Sequence, residues 1–157
     1  MIVIGSDHTG IELKKKIINH LKEKNIEYLD VTNFENQDGD DYPDIALYIC
    51  NKVNENVNNL GVAICGTGIG ISIACNKVKK IRAAVCTDVY MAEMTRKDND
   101  ANVLCLGSRL NSIQEKNNSV YDIVDIFIST KFQGGRHKRR IDKITSIEEG
   151  KEYGNNI

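Results

Sequence analysis

Residues 61–74 have the sequence GVAICGTGIGISIA, and this stretch decides the fold of the chain. Its first part is a short apolar run, typical of a strand that is buried on both faces of a parallel sheet. Three glycines then fall within five residues (66–70), and the apolar pattern after them predicts a helix. A strand, a glycine turn and a helix leave backbone N–H groups unpaired at the helix start, so the sequence predicts an anion site there.

Cys65 lies at the carboxyl end of this predicted strand, where open α/β sheets bind their ligands. A thiol that faces the positive end of a helix is better placed for chemistry than one buried in a core. The alternative interpretation is that Cys65 is a small core residue and that the glycines only permit a tight turn. The three glycines directly after Cys65 favour the functional interpretation.

Length and composition limit the possible classes of protein. A chain of 157 residues with 41% hydrophobic and 27% charged residues predicts one domain, spanning 1–157, with a substantial core. The net charge of −1 gives no general attraction to nucleic acid or membranes, and no apolar run approaches the roughly 20 residues that span a bilayer. No signal peptide is evident, and the five cysteines form no C-x-x-C pair. We therefore expect no metal site and a reduced, cytoplasmic setting.

Strands and helices alternate along the whole chain. Strands are predicted at 2–5, 26–31, 61–65, 82–86 and 102–107. Helices are predicted from residue 11 to about 24, from Pro43 to about 53, after the glycine loop, and at 89–96, 113–130 and 139–150, followed by a polar tail at about 148–157. This alternation predicts an α/β fold with a doubly wound, parallel, five-stranded sheet, helices on both faces and a C-terminal helix.

Several polar groups follow predicted strands directly. Asp7 and His8 follow the first strand, Asp88 follows the fourth, and Arg109 follows the fifth. Because carboxyl ends of parallel strands share one edge of the sheet, these groups should lie near Cys65 and indicate a small anionic substrate. A lone turn histidine often has no role, but the neighbours of His8 favour one.

Five basic residues, 136–140, form a run close to the C-terminus. Such a run is usually a solvated surface or a phosphate-backbone patch, although this one lacks the interleaved aromatic residues of single-strand binders. If a helix includes Arg136 and Arg140, they share one face and can grip a phosphate together.

Two nucleotide-binding motifs compete for the glycine loop. A P-loop is excluded because no Gly-Lys-Ser/Thr follows. A dinucleotide fingerprint is disfavoured because the spacing is G-x-G-x-G and the motif follows the third strand, although Asp88 lies about 20 residues further on.

Five motifs together resemble one family, ribose-5-phosphate isomerase B, which is grouped with the galactose-6-phosphate isomerase subunits. They are GSDHTG (5–10), DYPD (41–44), ICGTGIG (64–70), NDANVL (99–104) and GGRH (134–137), in the right order over residues 1 to about 147. The resemblance implies a Rossmann-like fold, no metal or organic cofactor, and a sugar phosphate as substrate. It also implies a homodimer or dimer of dimers with shared active sites.

The resemblance also implies roles for individual residues. It makes Cys65 the base that removes the proton next to the carbonyl, with Thr67 hydrogen-bonded to it. The substrate-binding groups implied are the loop backbone (Gly66, Thr67, Gly68, Ile69, Gly70), a phosphate site contributed across the dimer interface (His8, Arg109, Arg136, Arg140), and two groups for the sugar hydroxyls (Asp7, Asn99).

Asp98 departs from the family pattern. The family commonly has a histidine before Asn-Asp, as the acid and base that opens the furanose ring, and this chain has Asp98 there. A carboxylate can do this work only if its surroundings hold a proton on it near neutral pH. His8 and His137 are the alternatives for this role.

The predicted function is the interconversion of ribose 5-phosphate and ribulose 5-phosphate through an enediolate, a reaction of the non-oxidative pentose phosphate pathway. The first alternative is isomerisation of a six-carbon sugar phosphate, allose or galactose 6-phosphate. An alternative of another class is a non-catalytic sugar-phosphate-binding module, against which the presence of Cys65 and Thr67 argues.

Overall fold

The structure is a computed structural model that describes residues 1–32, 41–110 and 119–151. Its strands are β1 (Ile2–Ser6), β2 (Tyr28–Asp30), β3 (Leu60–Cys65), β4 (Ala83–Val85) and β5 (Val103–Gly107). Its helices are α1 (Ile11–Glu23), α2 (Tyr42–Asn54), α3 (Ile69–Cys75), α4 (Val89–Asn99), α5 (Val120–Ser129) and α6 (Arg136–Glu148), and a short 3-10 turn (His8–Gly10) precedes α1. Among these helices, none combines the length and apolar character needed to cross a membrane.

All five strands pair in parallel, in the order β2-β1-β3-β5-β4. β3 is central, with Ser6 of β1 opposite Ile64 on one side and Gly107 of β5 opposite Cys65 on the other. Because β3 is paired on both sides, the position of Cys65 at its end is fixed by two neighbouring strands. The predicted doubly wound parallel sheet is confirmed.

Helices cover both faces of the sheet, so successive residues of β3 point into different cores. Val62 and Ile64 pack into the core beneath α1, α4 and α5, which includes the fully buried Phe127. Ala63 and Cys65 pack into the core beneath α2 and α3. This explains why the strand sequence is continuously apolar rather than alternating.

The main differences from the predicted boundaries fall on three elements. β2 is shorter, at Tyr28–Asp30, and α4 continues to Asn99, where Asp100 in a left-handed conformation (φ 45°) ends it. α6 begins at Arg136, because the positive φ angles of Gly134 (68°) and Gly135 (56°) place the turn directly before it. Of the predicted helix at 113–130, residues 113–118 lie outside the described residues, as does the tail from residue 152.

Phe127 offers a test of the core. Phe127→Ala should lower the free energy of unfolding by about 3–5 kcal/mol, because it removes a fully buried ring and leaves a cavity. Chemical denaturation at one fixed protein concentration measures this. Val57→Ala is the control, since Val57 is 98% exposed and its truncation should change the free energy by less than about 0.5 kcal/mol. Equal losses in the two variants would contradict the assignment of Phe127 to the core.

Candidate active site

The carboxyl ends of β1, β3 and β5 are joined by backbone hydrogen bonds. The N–H of Asp7 donates to the carbonyl of Ile64 (3.1 Å), and the N–H of Ser108 donates to that of Cys65 (2.8 Å). The N–H of Arg109 then donates to the carbonyl of Gly66 (3.0 Å). The residues predicted at this edge from three separate strands are therefore brought together.

The glycine loop places a backbone donor on the sulfur of Cys65. Gly68 has φ 77°, and its N–H donates to Cys65 Sγ at 3.2 Å. The hydroxyl oxygen of Thr67 accepts from the N–H of Ile69 (3.3 Å). The structure thus differs from the expected Thr67–Cys65 bond: the left-handed turn at Gly68 brings a main-chain N–H to the sulfur and directs the exposed Thr67 side chain to the start of α3.

Two other loop glycines leave room for larger side chains. A Cβ on Gly66 would lie 3.4 Å from Nη1 of Arg109, so the guanidinium rests against this glycine. A Cβ on Gly70 would lie 2.9 Å from Cζ of Tyr42, so the phenol ring covers the first turn of α3. Tyr42 had no predicted role, although it belongs to the DYPD motif, and that motif was the one available signal.

Asp7 and Asp88 both cap short helical segments. One carboxylate oxygen of the buried Asp7, Oδ1, accepts from the N–H (2.9 Å) and the hydroxyl (2.6 Å) of Thr9, and the adjacent His8 is exposed. Asp88 accepts from the N–H of Met91 (2.8 Å) at the start of α4. Asp7 is therefore held rigidly beside the end of β3, while the role shown for Asp88 is structural.

The other cysteines belong to the core. Burial and the nearby Asp88 carboxylate raise the pKa of Cys86 to about 12. Hydrogen bonding to Cys75 and burial raise the pKa of Cys50 and Cys105 above the ordinary thiol value. Cys65 is the cysteine that ends a strand at the edge of the sheet, and its sulfur accepts the main-chain N–H described above.

Asp98 and Asn99 lie at the opposite edge of the sheet. α4 starts beyond the carboxyl end of β4 and runs back antiparallel to that strand. The last residues of α4 therefore lie roughly 15 Å from its first residues, at the amino ends of the strands. The carbonyl of Asn99 accepts from Nε of Arg82 (2.9 Å), which immediately precedes β4. Within one chain, these two residues are therefore separated from Cys65.

The start of α6 joins this second group. Nε2 of His137 lies 3.4 Å from Oδ1 of Asp98, and the His137 side chain is buried. Arg136 and Arg140 are exposed and lie one helical turn apart. The predicted site residues thus form two groups, a carboxyl-edge group (Asp7, His8, Cys65, Gly66, Thr67, Gly68, Ile69, Gly70, Arg109) and an amino-edge group (Asp98, Asn99, Arg136, His137, Arg140).

The groups at the carboxyl edge that could act on a substrate are side chains and backbone amides. In residues 1–32, 41–110 and 119–151, no group of three or more His, Cys, Asp and Glu side chains is arranged to hold a metal ion. The carboxyl edge offers a thiol, backbone donors, a carboxylate and a guanidinium. Such a set can accept a proton from carbon and stabilise the negative charge that forms.

Residues 2–144 match the family model described as Ribose/Galactose Isomerase. The chain belongs to this ribose/galactose isomerase family. It is 44% identical over 150 residues to the probable ribose-5-phosphate isomerase B of Mycoplasma pneumoniae, covering 96% of both proteins. It is 40% identical over 148 residues to ribose-5-phosphate isomerase B of Escherichia coli, covering 94% of this chain and 96% of that protein.

Solved structures show the same fold. The crystal structure of ribose-5-phosphate isomerase B from Mycoplasma genitalium with bound ribulose-5-phosphate superposes with a TM-score of 0.85 at 44% identity. The match covers 94% of this chain and 95% of that one. The predicted family and its Rossmann-like α/β fold are both confirmed.

The reactivity of Cys65 can be tested without substrate. In native protein treated with iodoacetamide, Cys65 should be alkylated about tenfold faster than the other cysteines, because Cys65 is 4% exposed at the end of its strand whereas Cys50, Cys75, Cys86 and Cys105 are 0–1% exposed. Mass spectrometry of peptides gives the rate for each cysteine, and Cys65→Ser should remove the fast reaction. Faster labelling of Cys86 than of Cys65 would contradict this assignment.

Proposed function

We propose that the chain is an aldose–ketose isomerase that interconverts ribose 5-phosphate and ribulose 5-phosphate, with Cys65 as the base. The observation that carries this proposal is the thiol of Cys65 at the end of the central strand, with the Gly68 N–H directed at its sulfur. Relatives named ribose-5-phosphate isomerase B support the substrate, as does the ribulose-5-phosphate bound in the Mycoplasma genitalium structure.

The proposed reaction moves one proton between neighbouring carbons. The Cys65 thiolate takes the proton from C2 of the open-chain aldose, and the C2 electron pair forms the C1=C2 bond as the carbonyl oxygen becomes negative. The thiol then returns the proton to C1, while the proton of the C2 hydroxyl passes to O1, so that C2 becomes the ketone and C1 carries a hydroxyl. Gly68 stabilises the thiolate, and loop N–H groups beside Arg109 stabilise the enediolate oxygens.

A complete site needs a second copy of the chain. The amino-edge group is separated from Cys65 by the length of a helix, so a partner chain must supply it to the carboxyl edge. Exposed apolar side chains on four helices support such an assembly (Tyr42, Leu47, Tyr48, Ile69, Ile73, Tyr90, Met91, Ile144, Ile147). We therefore propose a homodimer or dimer of dimers with shared active sites.

In that assembly, the arginines of α6 bind the phosphate with His8 and Arg109, while Asp7 and Asn99 contact the sugar hydroxyls. Asp98 is proposed to open the furanose ring. The second candidate substrate is a six-carbon sugar phosphate, since the matched family also covers galactose isomerases. A panel of five- and six-carbon aldose phosphates, assayed with the purified protein, decides between them, and no turnover at all would favour a binding module.

Cys65→Ala tests the base. The variant should lower kcat for ribose 5-phosphate about 100-fold or more with little change in KM, because the thiol acts in the chemical step and not in ground-state binding. Cys86→Ala is the matched control, since Cys86 is a core thiol, and it should keep its turnover. Turnover near the wild-type value in Cys65→Ala would exclude Cys65 as the base.

Arg136→Ala and Arg140→Ala test the phosphate site. Each variant should raise KM for ribose 5-phosphate about tenfold or more, because a charge-assisted contact to the phosphate is lost. Lys138→Ala is the control on the same helix, because Lys138 is exposed and pairs with Asp142. Unchanged KM values, together with a loss of affinity for nucleic acid, would favour the surface-patch interpretation instead.

A hybrid dimer extends this test to the shared site. One chain carries Cys65→Ala and the other carries both arginine substitutions, so a shared arrangement leaves one of the two sites intact. At low substrate concentration, the purified hybrid should show about half of the wild-type activity. If both groups served the same chain's site, the hybrid would have two defective sites and very little activity.

A further inference from the structure

We propose that His137 is a positioning residue that acts through Asp98 during ring opening and does not contact the sugar. The inference rests on the proposed function. It concerns opening of the furanose ring, a role for which Asp98, His8 and His137 are the candidates. The side chain of His137 is 6% exposed and its Nε2 faces Asp98, whereas the Asp98 side chain is 41% exposed. The carboxylate is therefore the member of the pair that a substrate can reach.

The backbone holds the two side chains together. The N–H of Gln133 donates to the carbonyl of Lys97 (3.0 Å), which fastens the turn before α6 to the last turn of α4. The N–H of His137 donates to the carbonyl of Gly134 (3.1 Å) inside that turn. Because these contacts do not involve the imidazole, its position beside Asp98 is determined by the fold and not by the side-chain pair alone.

Neighbouring cations on both helices already have partners. On α4, Lys97 pairs with Glu93 and Arg96 pairs with Asp100, while on α6 Lys138 pairs with Asp142. The remaining cations of the first α6 turns are the exposed arginines 136, 139 and 140. Among the described residues, the contact recorded for the Asp98 carboxylate with a basic group is the one with His137.

Ring opening needs one proton to leave and one to arrive. The O1 hydroxyl of the furanose gives its proton to a base as the C1=O bond forms, the C1–O4 bond breaks, and the ring oxygen O4 takes a proton. One carboxylate can accept the first proton and deliver it to O4, ending ionised as it began. The imidazole of His137 faces Oδ1 at 3.4 Å, and the Asp98 side chain is exposed enough to meet the sugar for this transfer.

Neither histidine can replace Asp98 from its position in the structure. His137 is covered, and its Nε2 is directed at the carboxylate rather than at solvent. His8 is exposed, but it is assigned to the phosphate on C5 and not to the O1 hydroxyl that must lose its proton. An Asp98 without His137 could still transfer the proton, but its carboxylate would rotate between orientations, so ring opening would slow rather than stop.

A double-mutant cycle tests this dependence. In turnover of ribose 5-phosphate, Asp98→Ala should lose about 100-fold and His137→Leu about tenfold. The double variant should lose no more than Asp98→Ala alone, because His137 has no other route to the substrate. His20→Leu is the matched control, since His20 contacts Asp125 (2.9 Å) in a similar pair on α1 and α5, and it should keep its turnover.

A second measurement separates ring opening from general damage. Ribulose 5-phosphate cannot form a furanose, so exchange of its C1 proton with D2O, followed by NMR, reports only the enediolate step. This exchange should stay within about twofold of wild type in His137→Leu. His137→Gln, which keeps an N–H donor near the place of Nε2, should recover most of the loss in ribose 5-phosphate turnover.

Several results would overturn the inference. Multiplicative losses in the double variant would show that His137 acts on the sugar itself. Equal loss of turnover and of proton exchange in His137→Leu would show a structural role, and no loss in that variant would show no role. If wild-type protein fails to isomerise ribose 5-phosphate, the proposed function fails and the inference with it. If only Cys65→Ala is inactive while the Asp98 and His137 variants are normal, the inference alone fails.

Discussion

The hydrogen bond from the Gly68 N–H to Cys65 Sγ depends on the central position of β3. That strand is paired along its length with β1 and β5, so its last residue has a fixed place and direction. The loop then turns sharply through the left-handed conformation of Gly68. A Cβ at this position would lie 3.0 Å from the carbonyl carbon of Leu106, so β5 also limits where the loop can lie. Sheet pairing therefore fixes both the thiol and its donor.

The same parallel sheet explains why the predicted site residues of one chain fall into two separate groups. Every strand ends at the carboxyl edge, and every crossover helix returns the chain to the amino edge. Residues at the end of α4, such as Asp98, are placed by this rule far from Cys65. A fold that builds a precise loop at one edge thus leaves complementary groups at the other, and association of two copies is a direct way to combine them.

The order of elements and the carboxyl-edge group were predictable because they depend on local patterns. Apolar runs, glycines and strand ends are visible in a short window of sequence. The Tyr42 ring against Gly70 was not predictable from the residues, because it joins segments that only the packing of α2 on α3 brings together. The start of α6 was predicted three residues late, since the conformations of Gly134 and Gly135 follow from docking of the turn on α4. The pairing of Asp98 with His137 depends on that same docking.

The dipoles of α4 and α6 both act on the carboxylate of Asp98, because the end of one helix and the start of the other meet there. A carboxylate in the last turn of a helix meets the negative end of the helix dipole, which is an unfavourable place for it. Here, the first turn of α6 approaches from the other side, with the positive end of its own dipole and the imidazole of His137. The two helix ends therefore offset each other at Asp98. An acidic residue can occupy this position because α6 begins where it does, so the glycine turn before α6 determines the surroundings of Asp98 as well as the start of the helix.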